Sequence, residues 1–160
     1  MKIWNSFKSI SLFGQIAIIL SLSLLIASLT QPAFYLDRED PAAWADSWLL
    51  FFFGWTFPLG GALIPFLFWC ANPIYIFSLM QTLKGDKVGF YLSALAAFIA
   101  LAFSQMDTII SSESGSESPI KSLELGYKLW LASFVVMTIG TGVNFYLKFI
   151  RRDTKFESLS

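Results

Sequence analysis

The sequence predicts an all-α integral membrane protein with four transmembrane helices and a further aromatic helix at the outer interface. Its 160 residues are 56% hydrophobic and only 14% charged, and the mean hydropathy is +0.63. A water-soluble domain of this size needs more charged side chains to cover its surface, whereas a surface that faces lipid needs none. We therefore treat residues 1–160 as a single membrane domain.

Four apolar regions predict the membrane spans. The first, third and fourth regions are each close to the ~20 residues that cross ~30 Å of hydrocarbon. The second region, Ser47 to Leu83, is too long for one crossing and too short for two spans with a loop. With one crossing in the second region, the predicted spans cover about residues 11–30, 60–82, 88–107 and 127–147.

The distribution of the basic residues favours one crossing in the second region. With a cytoplasmic N-terminus, eight basic residues lie inside and three outside, whereas a second crossing would move six of the eight outside. The inner residues are Lys2, Lys8, Lys84, Lys87, Lys148, Arg151, Arg152 and Lys155, and the outer ones are Arg38, Lys121 and Lys128. Both termini are predicted to be cytoplasmic, in a multi-pass protein of the bacterial cytoplasmic (inner) membrane.

The surplus half of the second region predicts a separate helix. Asp40 can cap a helix that starts at Pro41, and aromatic residues follow at helical spacing. We expect a helix over about 41–57, a bend over 56–61, and a span that descends to a cytoplasmic turn over 84–87. A single long, tilted and kinked helix is the alternative.

The outer connections are predicted to be simple. The segment Ser111–Pro119 reads SSESGSESP, a polar low-complexity sequence that is typical of a flexible loop. We expect residues 37–46 and 111–124 to lie outside the membrane, where their carboxylates make the outer face acidic.

The composition also excludes several classes of function. The formal net charge is zero, so nothing steers the molecule toward nucleic acid. Histidine is absent, which removes most haem and zinc sites, and Cys70 alone can form neither an internal disulfide nor a Cys-x-x-Cys redox pair. No nucleophile is arranged with a base, and no charged residue lies well inside a span. We therefore expect no enzyme activity, no cofactor and no proton-coupled export.

Two groups of residues are candidates for binding or packing. Pro73 frees a backbone carbonyl near Trp69, and Asn72 brings an amide to the middle of the predicted bilayer, where polar atoms need partners. Trp55 and Trp69 could line a groove for a lipid or another hydrophobic ligand. Asp107 and Lys128 lie at the outer ends of spans three and four and could form an ion pair. For Asn72, a helix-to-helix hydrogen bond is the alternative to a ligand contact.

Two functions remain after these exclusions. The first is a non-enzymatic accessory, assembly or immunity-type component, which acts through contacts with a protein partner in the membrane or at the outer face. The alternative is a carrier or binder of a lipid-like or small apolar molecule, which would use Trp55, Trp69 and Asn72. In either case the membrane lipids are partners, and nucleic acid is not.

Overall fold

The computed structural model describes residue 7 and residues 10–37, 44–110 and 116–147. The chain is mostly helical, as predicted. The prediction of an all-α fold is nevertheless wrong, because four strands form a small sheet. The fold therefore has two layers, a helix bundle and a sheet that packs across one end of it.

Six α-helices make up the helical part that the structure describes. They are α1 (Leu12–Ser28), α2 (Ser47–Phe53), α3 (Leu63–Trp69), α4 (Ala71–Leu83), α5 (Val88–Ala102) and α6 (Leu125–Phe145). Short 3₁₀ segments follow α2 (Gly54–Gly60) and α5 (Phe103–Gln105).

Three apolar helical runs are long enough to cross a membrane. They are Leu63–Leu83, which joins α3 and α4, then Val88–Gln105 and Leu125–Phe145. Helix α1 is also apolar, but its 17 residues make it shorter than these three. The structure therefore supports a membrane protein with three helices of spanning length, and a fourth span stays a prediction.

The bundle is held together by small residues and buried hydroxyl groups. Helix α6 packs against α1 and α5, and α5 also packs against α4. Gly140 lies so close to Ala17 that a Cβ at position 140 would collide with the alanine side chain. Tyr75, Phe134 and Met137 are almost fully buried between the helices. Close backbone approach and dense packing of this kind stabilise helix pairs where lipid surrounds them.

The sheet is formed by segments that connect the helices. Strands β1 (Pro32–Leu36), β2 (Trp44–Asp46), β3 (Thr108–Ile110) and β4 (Glu117–Leu123) pair antiparallel in the order β2-β1-β4-β3. Buried residues of β1 and β3 form a second apolar cluster with Phe103, which follows α5, and with Tyr127 at the start of α6. The backbone N–H and C=O groups that are buried in the sheet layer need hydrogen-bond partners, and the pairing of the strands supplies them.

The sheet corrects the prediction of a flexible loop over 111–119. Residues 117–119 belong to β4, where Pro119 lies opposite Thr108. Residues 111–115 lie outside the described part of the chain. The polar composition of this segment concealed the strand, because the apolar residues that anchor it, Ile120 and Leu123, follow the low-complexity stretch.

The second apolar region is divided, but its first helix begins later than predicted. Helix α2 starts at Ser47, and residues 44–46, which were predicted to be helical, form β2. The predicted cap Asp40 and start Pro41 lie outside the described residues. The 3₁₀ segment contains Pro58 and ends at Gly61, whose φ of +78° suits glycine. This backbone turn separates α2 from α3, within the bend expected over 56–61.

A candidate ligand cavity between the bundle and the sheet

A cavity of about 90 Å³ lies between the sheet and the helix ends that face it. Both layers contribute to its wall: strands β1 and β3 from the sheet, and the end of α1, helices α2, α3 and α4, the two 3₁₀ segments and the start of α6 from the helical part. The wall is mainly apolar and aromatic, with Phe34, Phe51, Phe68, Trp69, Phe103 and Trp130 among its residues. No Asp, Glu, Lys or Arg side chain lines it. The cavity therefore suits an uncharged, largely apolar group.

Trp69 positions the short helix α2 over the cavity. Its indole Nε1–H donates a hydrogen bond of 2.8 Å to the backbone carbonyl of Phe51 in α2. Gly54 lies directly against the same indole, where a Cβ would collide with the ring. The predicted candidate Trp69 thus lies on the cavity wall and also joins α2 to α3.

Asn72 lies on the same wall and connects two helices. Trp130 Nε1–H in α6 donates a hydrogen bond of 2.8 Å to Asn72 Oδ1 in α4, and Asn72 is only 6% exposed. The Trp130 ring packs in turn on Phe134, with ring centroids 4.9 Å apart. The helix-to-helix hydrogen bond that we considered for Asn72 is therefore present, at a position that also faces the cavity.

Pro73 and Trp55, the neighbouring candidates, lie off the cavity wall. Pro73 is the third residue of α4, in the first turn, where a helix makes no use of the N–H that proline lacks. Trp55 is 54% exposed on the 3₁₀ segment and does not line the cavity. Pro73 fits the start of α4, and Trp55 lies on the outer surface.

Asp107 and Lys128 do not form the predicted ion pair. Both side chains are exposed, and among the described residues the salt bridge is instead Lys121 with Asp37, at 3.5 Å. The chain leaves α5 in an extended conformation at Met106 (φ −84°, ψ 125°) and enters β3. Asp107 therefore belongs to the sheet layer, where its backbone carbonyl accepts a hydrogen bond from the Ile120 N–H.

Ser47 and Gly126 are cavity residues that the sequence analysis did not select. Ser47 is the first residue of α2, and Gly126 is the second residue of α6. The two are in direct contact, because a Cβ on Gly126 would collide with Ser47 Oγ and with the backbone carbonyls of Gln31 and Pro32. The one sequence signal for this contact is a glycine close to a predicted helix start. That signal does not indicate which residue packs against the glycine.

Comparison with known proteins does not assign a function to this cavity. No protein-family model, no curated protein and no solved structure matches the chain. Within the described residues, no group of three or more His, Cys, Asp or Glu side chains could hold a metal ion. What the chain binds must therefore be inferred from the chemistry of its own cavity.

Proposed function

We propose that this chain is a four-span membrane protein that binds a lipid-like or small apolar molecule in the cavity beneath its sheet. The observation that carries the proposal is the uncharged, aromatic-lined cavity of about 90 Å³ at the junction of the two layers. An apolar protein cavity of ~150 Å³ is large enough to hold benzene. The smaller cavity here fits a small apolar molecule or one end of a longer lipid-like chain.

The four-span arrangement is supported by the surface and packing of α1. Helix α1 packs along α6, one of the helices of spanning length. Its outward side chains are strongly exposed and apolar, including Leu12 at 73%, Ile19 at 57% and Ile26 at 65%. Such a face is stable against hydrocarbon and unfavourable in water. At ~1.5 Å per residue, α1 is ~26 Å long, close to the ~30 Å of a hydrocarbon core.

Cysteine accessibility tests this topology. In a Cys70→Ala background, we expect an impermeant thiol reagent to label Glu117→Cys on intact bacterial cells. Asp86→Cys, in the turn between α4 and α5, should react only after the cells are permeabilised. Labelling of Asp86→Cys on intact cells would contradict the proposed orientation.

Retention of a bound molecule tests the cavity. Ala33 lies on the wall in β1, so Ala33→Ile should fill part of the cavity with side-chain atoms. Ala45, opposite Phe34 in β2, does not line the cavity, so Ala45→Ile is the matched control in the same sheet. Native mass spectrometry of the protein purified in mild detergent should find a retained molecule in the wild type and in Ala45→Ile, but much less in Ala33→Ile.

Two outcomes would contradict the cavity proposal. One is a wild-type protein that retains no molecule under any mild extraction. The other is equal retention by Ala33→Ile and the wild type, which would place the bound molecule elsewhere on the protein.

The accessory, assembly or immunity-type function stays a prediction, as does the absence of enzyme activity. No contact within the chain bears on either. Purification from the native membrane, followed by identification of the proteins that co-purify, is the direct measurement of the accessory function.

A further inference from the structure

We propose that the molecule in the cavity carries an uncharged hydroxyl or carbonyl group, which hydrogen-bonds to Ser47 beside the first turn of α6. This inference rests on the proposed function, because it names the chemical class that the same cavity would take. It commits to a neutral amphiphile that partitions into the bilayer: an alcohol, a ketone or an ester with an apolar body.

The unused hydrogen-bonding capacity of Ser47 is the first observation. Ser47 is 8% exposed and lies on the cavity wall. Among the buried side-chain atoms that the structure describes, its Oγ is the one without a hydrogen-bond partner. Buried polar atoms are otherwise almost always paired, and a hydroxyl group can both donate and accept. A ligand oxygen would supply the missing partner.

The neighbouring hydroxyl groups and indole N–H groups of the wall are already used. Ser28 Oγ donates to the Leu25 carbonyl at 2.7 Å, and Tyr127 Oη donates to the Ala100 carbonyl at 3.0 Å. The indole N–H groups of Trp69 and Trp130 are bound to Phe51 and Asn72. Ser47 is therefore the open hydroxyl group of the wall, beside the Asn72 amide NH2, which makes no hydrogen bond within the described residues and can only donate.

The start of α6 adds a second polar element at the same place. Gly126 contacts Ser47 Oγ, and no side chain caps this 21-residue helix. The first N–H groups of a helix have no partner within it, and the helix dipole makes this end electropositive. An electron-rich ligand oxygen is therefore favoured next to Ser47, which packs directly against Gly126 at the start of α6.

The ligand group must also be neutral. None of the residues on the wall is Asp, Glu, Lys or Arg. An ionised headgroup buried here would lose its hydration without gaining a counter-ion, which is strongly unfavourable. A phosphate or carboxylate headgroup would therefore remain outside the cavity.

A pair of photoreactive probes tests the inference. One probe is hexanol with a diazirine on its chain, and the other is hexane with the same diazirine and no hydroxyl group. Each is added to the protein in lipid nanodiscs, and after illumination the adducts are mapped by peptide mass spectrometry. Labelling of cavity residues is divided by labelling of the lipid-facing side of α1, which corrects for partition into the bilayer.

Ser47→Ala is the test variant, and Ser122→Ala in β4, which does not line the cavity, is its control. Loss of one neutral hydrogen bond should lower cavity labelling by the hexanol probe about three- to tenfold in Ser47→Ala. Labelling by the hexane probe should not change, and Ser122→Ala should behave as the wild type with both probes. Removal of an unpaired hydroxyl leaves no group without a partner, so Ser47→Ala should fold normally.

The remaining outcomes separate this inference from the proposed function. If both probes label the cavity equally in the wild type and in Ser47→Ala, the polar position is wrong while the cavity still binds an apolar molecule. If the hexane probe alone labels the cavity, the inference is likewise overturned. If neither probe labels the cavity above the α1 reference, the proposed function and the inference both fail.

Discussion

Two buried serines, one in the helix bundle and one at the junction with the sheet, differ in their hydrogen bonding. In the bundle, Ser21 Oγ is 2.6 Å from Tyr75 Oη and also donates to the Ser133 carbonyl, so three helices share one network. At the junction with the sheet, Ser47 Oγ has no partner. A closed network fixes helix positions, whereas an open hydroxyl beside a cavity keeps a hydrogen bond available for another molecule. The bundle serine is therefore satisfied within the fold, whereas the proposed ligand would complete the hydrogen bonding of Ser47.

The largest expected effect comes from forcing two bundle helices apart. Gly140→Leu would place a side chain where Ala17 of α1 touches α6, so we expect the free energy of unfolding to fall by about 1–3 kcal/mol. Thermal unfolding in detergent, with size-exclusion chromatography, measures the loss. Gly60→Leu is the control, because nothing lies within 4 Å of a Cβ there. Similar destabilisation by both variants would contradict the close α1–α6 contact.

The next effect concerns the hydrogen bond that crosses from the bundle to the cavity. Asn72→Leu leaves the Trp130 indole N–H without its acceptor, and we expect a loss of about 1–2 kcal/mol. The double variant with Trp130→Phe should lose less than the sum of the two single changes. Trp55→Phe, on the outer surface, is the control for loss of an indole. Additive effects would show that Asn72 and Trp130 do not interact.

Replacing serine by alanine in the bundle and at the junction with the sheet tests directly whether the two hydroxyl groups differ. Ser21→Ala leaves Tyr75 Oη without its partner and should cost about 0.5–1.5 kcal/mol. Ser47→Ala removes an unpaired group, so the free energy of unfolding should stay the same or rise slightly. Chemical denaturation of both variants without added ligand checks this. A loss in Ser47→Ala equal to that in Ser21→Ala would mean that Ser47 already has a partner.

The smallest effect belongs to the surface charges of the sheet layer. Lys121 and Asp37 are 62% and 64% exposed, so a double-mutant cycle with alanine should give a coupling below about 0.5 kcal/mol that decreases with added salt. The same cycle for Asp107 and Lys128 should give no coupling, because the two do not pair. A coupling for Asp107 and Lys128 larger than that for Lys121 and Asp37 would reverse this assignment.

The sequence predicted the bundle better than the sheet because the two depend on different information. Apolar runs mark helices locally, and the helices at 63–83, 88–105 and 125–145 lie close to the predicted 60–82, 88–107 and 127–147. The sheet depends on pairing between distant segments, such as Phe34 with Leu123. Strands of three to seven residues leave little periodicity to detect.

The residues of the candidate site also differ in whether the sequence alone could identify them. Asn72 and Trp69 could be selected because an amide and a proline in an apolar run are locally unusual, and both lie on the cavity wall. Ser47 could not, because its importance comes from the approach of Gly126 across the fold. The sequence analysis placed Asp107 at the end of a span. In the structure it directly precedes β3, and it does not pair with Lys128.

The strand order β2-β1-β4-β3 has a consequence for the order of events during synthesis. Strand β4 lies between β1 and β3 in the sheet, yet it is the last strand to be made. The pair of β1 and β2 can form early. The other edge of β1 stays uncovered until α5 and β4 have been made, because β4 pairs with it. Contacts between segments so distant in the chain form slowly. The cavity needs β1 and the start of α6 together, so its wall is complete only after the chain has been made as far as Trp130, and binding of the proposed ligand would report that the two layers have assembled.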